Sequence, residues 1–125
     1  MSGTAYIVFA HGSSVESANE AVRAVARAAA QRGGWNDFAA AFLGGGRPSI
    51  QEAAAGLVMR GASRLVVIPY FLTLGLHLER DLPALIGELK KAHPSLEIDV
   101  TPPLDGHPAM VNALVDRAKE SGNHG

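Results

Sequence analysis

Short apolar runs alternate along the chain with longer amphipathic stretches, and glycine, proline or serine marks almost every junction. Thr4–Ala10 (TAYIVFA) is continuously apolar, as expected of a strand covered on both faces. Ser17–Glu20 (SANE) has the spacing of a capping box and predicts a helix running to about Gln31. Within it Asn19, Arg23, Arg27 and Gln31 recur at every fourth position, which predicts a polar stripe with Val22 and Val25 turned the other way. Gly33-Gly34 stops that helix. Phe38–Leu43 (FAAAFL) is a second short apolar run, closed by Gly44-Gly45-Gly46. Pro48 suits the first position of a helix that extends to about Arg60. Arg64–Tyr70 (RLVVIPY) carries the strongest strand signal, with Pro69 marking the end of its ladder. The loop FLTLGLH leads to a helix predicted over Glu79–Ala92 and closed by His93-Pro94. Leu96–Val100 (LEIDV) alternates, with Leu96, Ile98 and Val100 on one face, as in a half-covered edge strand. Pro102-Pro103 breaks the chain before a last amphipathic helix over Pro108–Lys119.

Strand and helix therefore alternate four times, with crossovers long enough for parallel pairing. The expected fold is a single α/β domain of flavodoxin-like type. It is a three-layer α/β/α sandwich around a mainly parallel four-stranded sheet, with right-handed crossovers placing helices on both faces. There is no internal repeat. The domain is expected over residues 1–120, with a frayed polar tail at 121–125 that includes His124.

Composition narrows the function. With 125 residues, 47% of them hydrophobic and 18% charged, the chain can bury a core of one domain's size. Eleven Lys and Arg against 12 Asp and Glu leave a formal net charge of -1, so electrostatics offers no case for nucleic acid or an anionic membrane surface. No run approaches the roughly 20 apolar residues of a membrane span. The start, MSGTAYIVFAHG, has no basic segment of the kind that opens a signal peptide, and a cytoplasmic protein is the expectation. The absence of cysteine excludes disulfides, thiolate metal sites and cysteine nucleophiles, so any metal must meet histidine and oxygen ligands.

In an open parallel sheet, ligands bind beyond the carboxyl ends of the strands. The four strands deliver to that edge His11-Gly12-Ser13-Ser14, Gly44-Gly45-Gly46-Arg47, the stretch Phe71–Asp81 with Gly75 and His77, and Pro102–His107. If the first and third strands are neighbours, about 4.8 Å apart, His11 and His77 can face one cavity. Imidazole suits cobalt, iron and nickel, and it accepts protons near neutral pH. Gly12 and Gly75 beside the two histidines permit a sharp turn or the close approach of a flat ligand. A lone histidine at a strand end is structural or incidental more often than functional; the pair at one edge carries the argument. His93 reads as a helix terminus, and His107 is an outlying candidate on the correct side. Ser13-Ser14 fits turn or capping duty, since no triad order is legible. Gly44–Gly46 are not a P-loop, because no Gly-Lys-Ser/Thr follows.

The segments IVFAHGSS, AAFLGGGRPSIQEAAAGLVMRGASRLVVIPYFLTLGLHLERDLP and HPSLEIDVTPPLDGHPAMV together resemble the small CbiX and SirB-like class II chelatases, over nearly the whole chain. The most specific parts are strand-His-Gly-Ser, Pro-aromatic-Phe-Leu, Gly-x-His, and an Asp-Leu-Pro helix start. That family inserts cobalt, iron or nickel into sirohydrochlorin-type tetrapyrroles. The resemblance implies that His11 and His77 contact the metal, with His11 also serving as base on the pyrrole N–H groups. The divalent ion (Co²⁺, Fe²⁺ or Ni²⁺) is a substrate and no organic cofactor is needed. Ser13 and Gly75 become substrate-binding candidates, and a homodimer is implied. Many members carry a glutamate directly after the Phe-Leu of the second strand; here that place is Gly44, and Glu79 is the nearest carboxylate in the motif. Gly44, Gly45, Gly46 and Arg47 can instead form an anion site for a substrate carboxylate, with backbone amides, a helix dipole and a guanidinium, or a plain flexible loop. Two functions stay open: a sirohydrochlorin chelatase, or a non-catalytic relative that carries metal or tetrapyrrole. A third, a phosphate- or nucleotide-binding module at the same edge, would need neither histidine.

Overall fold

A computed structural model describes residues 3–122. Among them four strands and four helices alternate: β1 (Thr4–Ala10), α1 (Glu16–Gly33), β2 (Phe38–Phe42), α2 (Ile50–Met59), β3 (Arg64–Pro69), α3 (Leu76–Ala92), β4 (Glu97–Val100) and α4 (Pro108–Gly122). The sheet order is β2-β1-β3-β4 and every pairing is parallel. The expected α/β sandwich is thus the observed one, with β4 on an edge.

Alternation along the strands divides the core. Ala5, Ile7 and Phe9 of β1 with Leu65 and Val67 of β3 face α2 and α3. Val8 and Ala10 of β1 with Ala40 and Phe42 of β2 face α1. β1 is buried on both sides because it lies between two strands and two helix layers, which is why its sequence is apolar without a break. The alanines of β2 weaken its strand propensity, but their small side chains let helices pack closely on both faces of an edge strand. On the α1 face the cover is incomplete. Val66 and Ile68 of β3 are only half-buried, and α4 leaves Val111, Leu114 and Val115 at 63%, 71% and 48% exposure.

Several boundaries differ from the sequence expectation. α1 starts at Glu16 with Val15 at its N-cap, and Ser17 makes no cap; Glu20 is drawn instead to Arg23 and Arg27. The capping box forms one helix later. Ser49 Oγ accepts from the Glu52 amide and Glu52 accepts from the Ser49 amide, so Pro48, after a cis Arg47–Pro48 bond, lies outside α2. α3 begins at Leu76, a turn before the expected start, and Pro83 of the Asp-Leu-Pro segment is inside the helix. Leu96 precedes β4 and is buried in the core. The expected polar stripe of α1 is split. Arg27 and Gln31 are exposed, but Asn19 is buried and Arg23 half-buried on the sheet-facing side, while Val25 faces solvent. α4 runs on through Ser121 and Gly122, and residues 123–125 of the expected tail, His124 included, lie outside the described residues.

Candidate functional site

The crossover from β1 leads through α1 to β2 on one face, and that from β3 leads through α3 to β4 on the other. β1 and β3 are adjacent, with Phe9 opposite Pro69. Connections that leave neighbouring strands toward opposite faces open a crevice between their carboxyl ends. His11 follows β1 on one side of that crevice. His77 is the second residue of α3, the helix that follows β3 on the other side. Both are exposed. The notion of His77 in a loop is corrected: it is in the first turn of α3, behind Gly75 as N-cap.

Each side of the crevice is a pair of tied loops. The β1–β2 ladder continues past the strands, with the Leu43 amide on the Ala10 carbonyl at 2.9 Å and the Gly44 amide on the His11 carbonyl at 3.0 Å. On the other side the amides of Leu104 and Asp105 donate to the carbonyls of Phe71 and Leu72 at 2.9 and 2.8 Å. The Tyr70 amide donates to the Phe9 carbonyl at 2.7 Å and joins the two halves at the base.

The His11 ring lies with Nδ1 3.3 Å from the carbonyl of Gly12. A proton on Nδ1 satisfies that contact and leaves the Nε2 lone pair free, an arrangement that suits a metal-binding imidazole. His107 is used differently. Its Nδ1 accepts from the Ala109 amide at 3.0 Å, so it caps α4. Among the described residues no group of three or more His, Asp or Glu side chains could hold an ion. Within one copy the two imidazoles have no carboxylate added to them, and Glu79, exposed on the first turn of α3, joins no such group.

The triglycine run is a close-packed backbone crossing. A Cβ on Gly12, whose φ is +90°, would lie 1.7 Å from the Gly44 carbonyl oxygen. One on Gly45, at φ +74°, would lie 3.0 Å from Ser13. Position 44 is open, with nothing within 4 Å of its Cβ. Ser13 Oγ accepts from the Val15 amide at 3.0 Å, a local turn bond. Arg47 is 83% exposed and ion-paired with Glu52, and α2 has its N-terminus filled by its own capping box. α3 has no side-chain cap, and neither has α1, so these two helix N-termini are the ones at this edge with amides to spare. Leu43, Tyr70, Leu72 and Leu76 are exposed around the crevice, whereas Leu78 turns into the core with Leu82 and Ile86.

Residues 5–121 match the CbiX family. The chain belongs to the CbiX family. It is 28% identical over 118 residues to the chloroplastic sirohydrochlorin ferrochelatase of Arabidopsis thaliana, covering 94% of this chain and 52% of that protein. It is 26% identical over 137 residues to the sirohydrochlorin cobaltochelatase of Methanopyrus kandleri, covering 94% and 96%. In structure it is similar to the sirohydrochlorin chelatase SirB of Bacillus subtilis subspecies spizizenii in complex with cobalt, with a TM-score of 0.88, 25% identity, and coverage of 96% of this chain and 51% of that one. The chain spans about half the length of the Arabidopsis and Bacillus proteins and nearly all of the Methanopyrus one.

Two side chains of this edge, Asn19 and Arg23, were hidden by a pattern read at spacing four. The signal lay in combining it with spacing three: Asn19, Val22, Arg23, Ala26 and Ala30 form one inward stripe.

Proposed function

We propose that this CbiX-family chain is a sirohydrochlorin chelatase, which exchanges two pyrrole protons of the macrocycle for a divalent metal ion. The observation that carries the proposal is the pair of exposed histidines on opposite sides of the β1–β3 crevice. Neutral imidazoles at His11 and His77 hold M²⁺ with coordination positions left open for the incoming pyrrole nitrogens. As the metal passes to the macrocycle, two N–H protons leave and the freed imidazoles accept them. No electron changes hands, so no organic cofactor is invoked. The exposed apolar rim of Leu43, Tyr70, Leu72 and Leu76 suits a flat ring. Arg47 and the amides behind Gly75 suit its peripheral carboxylates, with Ser13 and Gly44–Gly46 forming the opposite backbone wall.

Co²⁺ and Fe²⁺ are the first metals to try, given the names of the relatives, and Ni²⁺ belongs to the same donor preference. A cytoplasmic setting and a homodimer complete the proposal. The second copy is supported by α4, whose Val111, Leu114 and Val115 are exposed, and by the half-buried Val66 and Ile68 on the bare part of the sheet. Among the described residues no helix is long and apolar enough to cross a membrane.

The test is optical. Sirohydrochlorin is mixed with Co²⁺, Fe²⁺ or Ni²⁺, and its absorption is followed with wild type, His11→Ala and His77→Ala. Acceleration over the uncatalysed rate, lost in both variants, is expected. Wild type that binds metal or macrocycle without accelerating insertion would make the chain a carrier. Anion binding indifferent to both substitutions, without insertion, would favour a phosphate-binding module.

A further inference from the structure

Asn19 is 1% exposed, and its carboxamide is committed to the loops that frame His11. Oδ1 accepts from the Ser13 amide at 2.9 Å. Nδ2 donates to the Ser13 carbonyl at 2.8 Å and to the Gly45 carbonyl at 3.2 Å, with Glu16 Oε1 at 3.3 Å. One turn along α1, Arg23 donates to the Arg47 carbonyl at 3.0 Å and stacks its guanidinium over Phe42. The helix thus grips the triglycine loop at two carbonyls. The fit is close, since a Cβ on Gly46 would lie 2.9 Å from Asn19 Nδ2.

Packing alone does not ask for asparagine here. The rest of the inward stripe, Val22, Ala26 and Ala30, is apolar, and an apolar residue at 19 could continue it. Such a residue would leave the half-buried Ser13 amide and the Gly45 carbonyl without these bonds and the two loops untied. Meanwhile, among the described residues, the His11 ring has one contact of hydrogen-bond length, to the Gly12 carbonyl. Its position is inherited from its backbone, which is pinned by the Gly44 amide and, two residues on, by Asn19.

We propose that Asn19 is the positioning residue of the site: it locks the β1–α1 loop to the triglycine loop and sets where the His11 imidazole stands relative to Gly44. It does not touch the metal. The kinetic consequence rests on the chelatase proposal; the effect on metal binding does not. Ligand atoms must be held within about 0.5 Å of the productive geometry, and groups that orient a ligating histidine typically matter 10–100-fold.

The test uses Asn19→Ala, which removes the clamp, and Asn19→Asp, which keeps the acceptor for Ser13 but sets a carboxylate against two carbonyls. Thermal unfolding first establishes that each variant is folded at the assay temperature. Co²⁺ is then titrated and its visible absorption recorded, and kcat and KM for sirohydrochlorin are measured. Both variants are expected to bind Co²⁺ about tenfold or more weakly, with an altered spectrum, and to lose about 10–100-fold in kcat with little change in KM. A lower Tm with wild-type Co²⁺ spectrum and affinity would overturn the proposal and leave Asn19 a purely structural residue. If wild type itself accelerates no insertion, the chelatase proposal fails, and the Co²⁺ spectra still decide the role of Asn19. Should both variants unfold, Gly46→Ala presses on the same carboxamide more mildly; a wild-type Co²⁺ response in it would equally overturn the proposal.

Discussion

The amide of Gly44 donates to the carbonyl of His11 across 3.0 Å. The residue that the resemblance sets where many class II chelatases carry a glutamate is therefore hydrogen-bonded to the candidate metal-binding histidine. Its Cβ position is open and its φ is not in the left-handed region. Gly44→Glu can thus place a carboxylate at the crevice without moving the backbone that holds His11. The variant is expected to melt within about 3 °C of wild type, as surface changes do, and to bind Co²⁺ about tenfold more tightly in calorimetric titration, through one added oxygen ligand. Unchanged Co²⁺ affinity would show that a side chain at 44 does not reach the ion.

Gly12 gives the opposite case. Its φ of +90° and the 1.7 Å approach of its Cβ to the Gly44 carbonyl make any side chain there both strained and obstructed. Gly12→Ala is expected to destabilise the fold by about 3 kcal/mol or more, read from urea unfolding. Gly44→Ala, on the neighbouring strand's tip at the same crossing, should change stability by less than about 0.5 kcal/mol. Equal effects would mean that the loops separate easily.

The contrast between these two glycines shows what the sequence made legible. Four apolar runs and their spacing were enough for the α/β order, and His11 at the end of β1 was visible because a buried strand has a definite end. Which glycine of His-Gly and Gly-Gly-Gly bears a steric constraint was not visible, since that depends on contact between loops 32 residues apart in the chain. Ser17–Glu20 and Ser49–Glu52 both have the capping-box spacing, yet only the second forms one. In the first, the carboxylate is claimed by Arg23 and Arg27. Asn19 was misplaced because a single period was applied to a helix whose inward face needs two.

Acid should weaken the α1 and α2 starts in a defined window. Glu52 is held below the ordinary 4.5 by the Ser49 amide and then by Arg47, Glu16 by Arg23 and then Asn19, and Glu20 by Arg27 and then Arg23. A carboxyl with a depressed folded-state pKa stabilises when ionised, so its contribution is complete above about 4.5 and is lost as pH falls through the depressed value. All three are exposed, and each contribution is small. The Tm of wild type is expected to fall between pH 5 and 3. Glu52→Gln, which keeps the cap but not the charge, should start slightly lower at pH 7 and fall less steeply. Parallel curves for the two proteins would remove Glu52 from the acid response.

α4 carries three large apolar side chains that its own chain leaves exposed. Val111, Leu114 and Val115 recur at helical spacing on a face that meets no other described element closely, with exposures of 63%, 71% and 48%. A second copy would bury this stripe and the half-covered Val66 and Ile68 together, and a stable interface needs roughly 800 Å² per partner. Wild type is expected to sediment as a dimer at micromolar concentration. Leu114→Asp combined with Val111→Asp should sediment as a monomer and keep the secondary structure of the wild type, because neither side chain belongs to the core of one copy. A monomeric wild type, or a dimer indifferent to both charges, would remove α4 from the assembly and leave its apolar stripe to another partner.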